Sequence, residues 1–233
     1  MLTIGICGAS GSGKTTLAEE LMARLPGKAT LIHQDSYYRD HSHLPLEDRA
    51  RINYDHPEIY DHDLLYEDLK ALTEGRTILQ KGYNYPEHRR EDPLTPVVPG
   101  DVLIFEGIHA FYDPRIRDLL DFKLFMKVDP DICLLRRVQR DIMERGREID
   151  GIARQYLTTV KPMYEQYIRN YSEHADIIVA KGGKGQRIVD VLACYISAGR
   201  VRRSNDFFGK KERKHHGSSV FYRQHCRPDQ GIY

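Results

Sequence analysis

No stretch of this 233-residue chain approaches the roughly 18 consecutive apolar residues that a membrane-spanning helix requires. The apolar start at residues 2–7 runs directly into a glycine loop, so neither a membrane protein nor an exported one is expected. Cysteine is sparse: Cys7, Cys133, Cys194 and Cys226 lie far apart with no C-x-x-C pair, which argues against a disulfide framework and a zinc knuckle. A reducing cytoplasm fits that usage. A net surplus of charge is also missing, since 35 Lys and Arg face 34 Asp and Glu. The balance hides an asymmetry. From Arg200 onward, nine Lys and Arg face three acids, a surplus of six; because the whole chain is +1, residues 1–199 carry five net negative charges. This shift, together with Gly199, Gly209, Gly217 and Gly231, places the expected domain boundary near residue 200. The expected organisation is one domain, 1–199, and a basic tail, 200–233, that could touch nucleic acid but is more simply a solvated terminus. His215, His216, His225 and Cys226 are too irregularly spaced to read as a metal site.

What is present in the body is alternation: short apolar runs separated by longer amphipathic stretches, the pattern of an α/β fold with a parallel sheet flanked by helices. Strands are expected at 3–7, 30–33, 102–105, 123–128 and 177–180. Helices are expected at 14–24, 63–73, 114–120, 131–144, 149–170 and 186–198. Between 75 and 99 the pattern breaks. Pro86, Pro93, Pro96 and Pro99 exclude a central strand there, so a hairpin or flap on the rim is expected.

Gly8-Ala9-Ser10-Gly11-Ser12-Gly13-Lys14-Thr15, followed by Thr16, fits G-x-x-x-x-G-K-[ST] and sits between an expected strand and an expected helix. Glycines allow successive backbone N–H groups to converge on phosphate oxygens at the positive end of a helix. Lys14 supplies a charge for the β- and γ-phosphates, and the Thr15 hydroxyl suits a Mg²⁺ ligand. ATP or GTP binding follows. An N-K-x-D motif, the usual companion in switch GTPases, does not occur. Glu106 ends the third expected strand, at the carboxyl edge where ligands of open α/β sheets collect, and can serve Mg²⁺ directly or through water.

Asp35, in Gln34-Asp35-Ser36-Tyr37-Tyr38, emerges from the second expected strand and is the choice of general base, near the metal. The competing reading is a turn cap. Asp61 reads as a helix cap, whereas Asp55 comes too early for one and could bind paired hydroxyls. In the flap, Tyr83-Asn84-Tyr85-Pro86-Glu87-His88-Arg89-Arg90 interleaves rings with hydrogen-bonding groups, a mixture suited to a flat polar ligand. Arg136, Arg137, Arg140, Arg145 and Arg147 fall within twelve residues. Four-residue spacing, as between Arg137 and Asp141, permits a salt-bridged helix face; the same segment, about 136–150, could be a lid whose guanidinium groups close over a transferring phosphoryl group.

In this order, the phosphate loop, Gln34-Asp35-Ser36-Tyr37-Tyr38, Asn53-Tyr54-Asp55-His56-Pro57, Tyr83-x-Tyr85-x-x-His88-x-Arg90, Phe105-Glu106-Gly107-Ile108, Arg140-Asp141-Ile142-x-Glu144-Arg145-Gly146-Arg147 and Ala175-Asp176-Ile177-Ile178 span most of residues 3–198. The chain resembles the uridine kinase (uridine–cytidine kinase) members of the phosphoribulokinase/uridine kinase group of P-loop kinases. The resemblance implies Mg²⁺-dependent transfer from ATP (or GTP) to the 5′-hydroxyl of uridine or cytidine, a pyrimidine-salvage step, commonly in a homotetramer. It implies Asp35 as the base, Thr15 and Glu106 for Mg²⁺, and Asp55, Arg147 and Gln155 on the ribose. Tyr83 and His88 would address the pyrimidine with Tyr38 and Tyr54 beside them. Arg137 would lie on the substrate side, while Arg140 and Arg145 would close over the donor. Lys81 and Asn84 stand where the family usually has proline and aspartate, and residues 200–233 have no counterpart in its pattern. A same-fold kinase for a sugar phosphate, using Lys81, Arg89 and Arg90, and a nucleotide-regulated RNA-binding protein using the tail are the rival readings.

Overall fold

The computed structural model describes residues 1–180 and 186–197. In chain order the elements are β1 (Leu2–Gly8), α1 (Lys14–Arg24), β2 (Ala29–His33), α2 (Leu46–Arg49), α3 (His62–Thr73), β3 (Ile78–Asn84), β4 (Arg89–Val97), β5 (Val102–Gly107), α4 (Pro114–Leu119), β6 (Phe122–Met126), α5 (Pro130–Met143), α6 (Ile149–Gln155), α7 (Lys161–Gln166), β7 (Ile177–Val179) and α8 (Gln186–Ser197). Five strands form one parallel sheet in the order β2-β5-β1-β6-β7.

Period-two alternation sends the side chains of each central strand to opposite faces, and both faces are covered. From β5, Val102 and Ile104 pack with Ile4 and Ile6 against Leu17, Ala18 and Leu21 of α1 and Val189 and Leu192 of α8. Leu103 and Phe105 point the other way, against Leu65, Leu69 and Leu72 of α3 and Ile116 of α4. Helix starts follow local chemistry. The Leu64 N–H donates to Asp61 Oδ1 at 3.2 Å, confirming Asp61 as the α3 cap, and the Arg115 N–H donates to Asp113 Oδ1 at 2.8 Å ahead of α4. Helix α1 has no side-chain cap, so its first N–H groups open into the glycine loop.

The region expected to break the pattern is a separate antiparallel hairpin, β3–β4, with Pro93 and Pro96 in a strand that pairs on one side only. One expected helix is corrected. Residues 149–170 are not a single α-helix: α6 passes through a π-helical turn at Tyr156–Val160 into α7, and a 3₁₀ segment, Ile168–His174, follows. A wide turn inserts one residue per turn without changing composition, so the hydrophobic period does not betray it. Among the described residues no helix is long and apolar enough to cross a membrane. The boundary expected near residue 200, the basic tail with its histidines and Cys226, and the end of the last helix expected at 198 lie outside the described residues.

Candidate active site

The parallel register sets the site. Glu106 is level with Ile6 on one side and with His33 on the other, so the ends of β1, β5 and β2 open together at one edge of the sheet. From that edge emerge the glycine loop, Glu106, and His33-Gln34-Asp35.

The loop closes tightly. The Ser12 N–H donates to the Ala9 carbonyl at 3.1 Å, and Lys14 Nζ reaches the same carbonyl at 3.0 Å. Gly11 has φ of 81°, and a Cβ there would stand 2.3 Å from the Cys133 carbonyl oxygen, so both backbone angle and space demand glycine. Thr15 Oγ1 donates to Glu106 Oε1 at 3.1 Å, and His33 Nδ1 lies 2.8 Å from the same oxygen. Burial works against the charged form of Glu106, but the His33 hydrogen bond, the Lys14 charge and the Thr15 hydroxyl outweigh it and hold the carboxyl below the usual glutamate range. The Glu106 partnership correspondingly raises His33. An ionised carboxylate beside a hydroxyl is a set of hard oxygen donors that fits a Mg²⁺ ion keeping some of its own water.

Two cavities meet at this edge. The larger is lined by Gly11, Gly13, Lys14, Thr15, Thr16 and Glu106, together with Arg136 and Gln139 of α5. The smaller is lined by Tyr38, Tyr54, Asp55, Tyr83, His88, Arg137, Arg147 and Gln155. These are all eight substrate-side residues singled out in the sequence. Both cavities share Ser10, Asp35, Tyr85, Ile108, Arg140 and Arg145. Asp35 is therefore at their junction. Its carboxylate accepts from the Tyr85 hydroxyl at 2.6 Å and the Tyr60 hydroxyl at 3.3 Å, side-chain donors and not a turn N–H, which disfavours the cap reading.

The smaller cavity has an aromatic wall and a polar floor. His88 stacks on Tyr54 with ring centroids 4.8 Å apart, and Tyr38 packs on Tyr83 at 4.7 Å. His88 adopts the left-handed backbone region, φ 48°, at the turn of the hairpin. Burial and then the nearby Arg147 lower His88 from its usual value, favouring a neutral ring that can both donate and accept. On the floor, buried Asp55 takes a hydrogen bond from Thr159 at 3.1 Å and has Arg137 Nη1 at 3.6 Å. Gln155 Oε1 accepts from both Arg137 and Arg147 at 3.0 Å. Lys81, Arg89 and Arg90 line neither cavity, and Arg89 pairs with Glu87 and Asp92.

Several participants gave no clear sequence signal. Asp141, fully buried, accepts from Arg140 at 2.8 and 3.0 Å and from Arg147 at 3.3 Å, with Arg137 and Arg145 at 3.7 and 3.5 Å. The four-residue spacing to Arg137 showed one of these contacts but not a hub. His109, also buried, sets its Nε2 2.8 Å from the Asp55 carbonyl and its Nδ1 2.9 Å from the Tyr171 hydroxyl, tying the Asp55 loop to the end of β5. Tyr60 and Thr159 belong to stretches where only the fold reveals a neighbour.

Comparison with known proteins bears on the family and the fold. The model of the Phosphoribulokinase / Uridine kinase family matches residues 3–187. The chain belongs to this family. A uridine kinase of Leuconostoc citreum is 47% identical over 194 residues, covering 82% of this chain and 92% of that protein. One from Ligilactobacillus salivarius is 44% identical over 211 residues, covering 90% and 95%. The solved structure of phosphoribulokinase from Rhodobacter spheroides superposes with a TM-score of 0.58 at 17% identity, covering 77% of this chain and 69% of that one, a likeness of fold.

Proposed function

We propose that the protein is a uridine kinase that transfers the γ-phosphoryl group of ATP, or GTP, to the 5′-hydroxyl of uridine or cytidine. The observation that carries this reading is the position of Asp35 at the junction of the two cavities, one built from phosphate-binding backbone and the other from rings and paired polar groups. The loop from Gly8 to Thr16 would hold the triphosphate. Thr15, Glu106 and Asp35 would hold Mg²⁺, which neutralises phosphate charge when bound. Asp55, Arg147 and Gln155 would orient the ribose through its hydroxyls, and Tyr38, Tyr54, Tyr83 and His88 would take the pyrimidine. Asp35 accepts the proton of the attacking hydroxyl, while Lys14, Arg140 and Arg145 stabilise charge on the transferring group. Catalysis is chiefly positioning and electrostatics. Purine nucleosides, with a second ring to seat against the aromatic wall, would be excluded by size more than by any one hydrogen bond.

A sugar-phosphate acceptor would call on Lys81, Arg89 and Arg90, and these stand outside the cavity. A cytoplasmic homotetramer acting in pyrimidine salvage is the setting that fits this activity. The test is direct: purified protein with Mg²⁺-ATP and a panel of nucleosides and sugar phosphates, with the phosphorylated acceptor identified by mass spectrometry. UMP and CMP are expected, and a product from the sugar phosphates alone would refute the reading. Asp35→Asn is expected to keep ATP affinity within about twofold while kcat falls by about 10²–10⁴. Wild-type turnover in that variant would remove Asp35 as the base.

A further inference from the structure

A kinase whose base can deprotonate an alcohol faces a competing nucleophile, because water is smaller and present at far higher concentration. If water attacks the γ-phosphorus, its oxygen forms the new bond, the bond to the bridging oxygen of ADP breaks, and one water proton passes to the base. The products are ADP and inorganic phosphate in place of ADP and a nucleotide. Preventing this requires that the base be unavailable to water yet available to the acceptor.

The surroundings of Asp35 supply such a device. Both carboxylate oxygens bear phenol donors, Tyr60 on Oδ1 at 3.3 Å and Tyr85 on Oδ2 at 2.6 Å. The two phenols are held differently. Tyr60 is fully buried, stacks on Tyr38 with ring centroids 4.6 Å apart, and is tied to it by a backbone bridge. Tyr85 comes from the connection between β3 and β4, a hairpin outside the main sheet whose pairing is irregular between Lys81 and Tyr83. Its phenol makes the shorter bond, and it does so from an element that is not hydrogen-bonded into the main sheet. The outer face of the Tyr85 ring carries the Arg145 guanidinium, 4.0 Å from the ring centroid. Tyr83, two residues earlier, belongs to the wall of the acceptor cavity.

We infer that Tyr85 is a specificity-determining residue that makes Asp35 choose an alcohol over water, by holding Oδ2 until an acceptor seated against the flap takes that oxygen over. A nucleoside has ring area to press on Tyr54, Tyr83 and His88 and so shift the hairpin that carries Tyr85; a water molecule has none. The exchange trades a phenol donor for the acceptor's hydroxyl donor, so Asp35 keeps its hydrogen-bond count throughout. This rests on Asp35 being the base of the proposed reaction.

The experiment measures, in one sample of full-length protein with Mg²⁺-ATP, ADP formed without nucleoside and UMP formed with uridine. Their ratio is independent of how much of a variant is folded. Tyr85→Phe keeps the ring under Arg145 and removes only the O–H. It is expected to raise the hydrolysis-to-transfer ratio by about tenfold. Tyr85→Leu is expected to raise that ratio to a similar extent and also to increase the KM for ATP, because Arg145 loses its platform. A wild-type ratio in Tyr85→Phe overturns the inference, as does a ratio raised in Tyr85→Leu alone, which would assign the effect to ring bulk. Asp35→Asn separates the two layers. Loss of transfer there with an unchanged ratio in Tyr85→Phe sinks only the role of Tyr85, whereas persistent transfer in Asp35→Asn sinks the base assignment as well. In Asp35→Asn/Tyr85→Phe the extra hydrolysis is expected to vanish.

Discussion

Asp141 shows how much one side chain can organise. Arginines that are to meet a phosphoryl group must be held in place before it arrives, and like charges so close together repel. A fully buried carboxylate among Arg137, Arg140, Arg145 and Arg147 answers both needs. Burial opposes its charge, but Arg140 and Arg137 overcome this and keep the carboxyl below the usual aspartate range. Asp141→Asn is expected to lower stability by about 3 kcal/mol, since it leaves buried guanidinium charge without its counter-ion. If Arg140 and Arg145 act as proposed, it should also lower kcat by more than it raises the KM for uridine, because they lose their common anchor; chemical denaturation and steady-state kinetics check the two effects. The spacing of Arg137 and Asp141 made one ion pair legible beforehand. Convergence of Arg145 and Arg147 on the same carboxylate was not, because it depends on the chain turning back after α5 with Gly146 in the left-handed region, φ 61°.

At the scale of elements, the phosphate loop works because a strand, a glycine turn and an uncapped helix follow one another without interruption. Each part is local, so loop and helix boundaries were readable from residue order, and α1 runs over the expected 14–24. What was not readable is that α5 presses on the loop from outside. Gly11→Ala would drive a methyl into the Cys133 carbonyl at an angle that side chains avoid. It is expected to weaken ATP binding at least about tenfold, or about 1.4 kcal/mol, measurable by calorimetry, with little change in far-ultraviolet circular dichroism. The flap follows the same division. Its prolines excluded a central strand, yet nothing in them said that Tyr85 would end on Asp35. The π turn at Tyr156–Val160 was invisible for a related reason: it carries Thr159 to Asp55, a partner 104 residues away.

Across the whole molecule, His109 links three regions: its backbone N–H meets Gln34 at 2.9 Å, and its ring meets the Asp55 carbonyl and Tyr171. Burial pulls its pKa down to about 3. The unfolded chain would take up a proton on this ring below about pH 6.5, whereas the folded one would not. The stability His109 contributes is therefore complete above pH 6.5 and drains away as pH falls toward 3, by up to about 1.4 kcal/mol per pH unit. Thermal melts between pH 7 and pH 5 are expected to show a steeper loss for the native protein than for His109→Gln, which has no such proton to bind. Equal slopes would show that His109 does not titrate on unfolding.

Residue order alone dictated what depends on near neighbours: the phosphate loop, most helix and strand limits, and the proline-broken hairpin. Those features arise from backbone angles and short periodicities, which act over a few residues. The folded sheet decided which distant groups meet. By placing β5 between β1 and β2 in parallel register, it sets Glu106 beside His33 and Thr15, and it brings Asp35 to the edge where two cavities join. Strand order follows from burying both faces of the sheet at once, a condition on the whole chain that no short stretch of it carries.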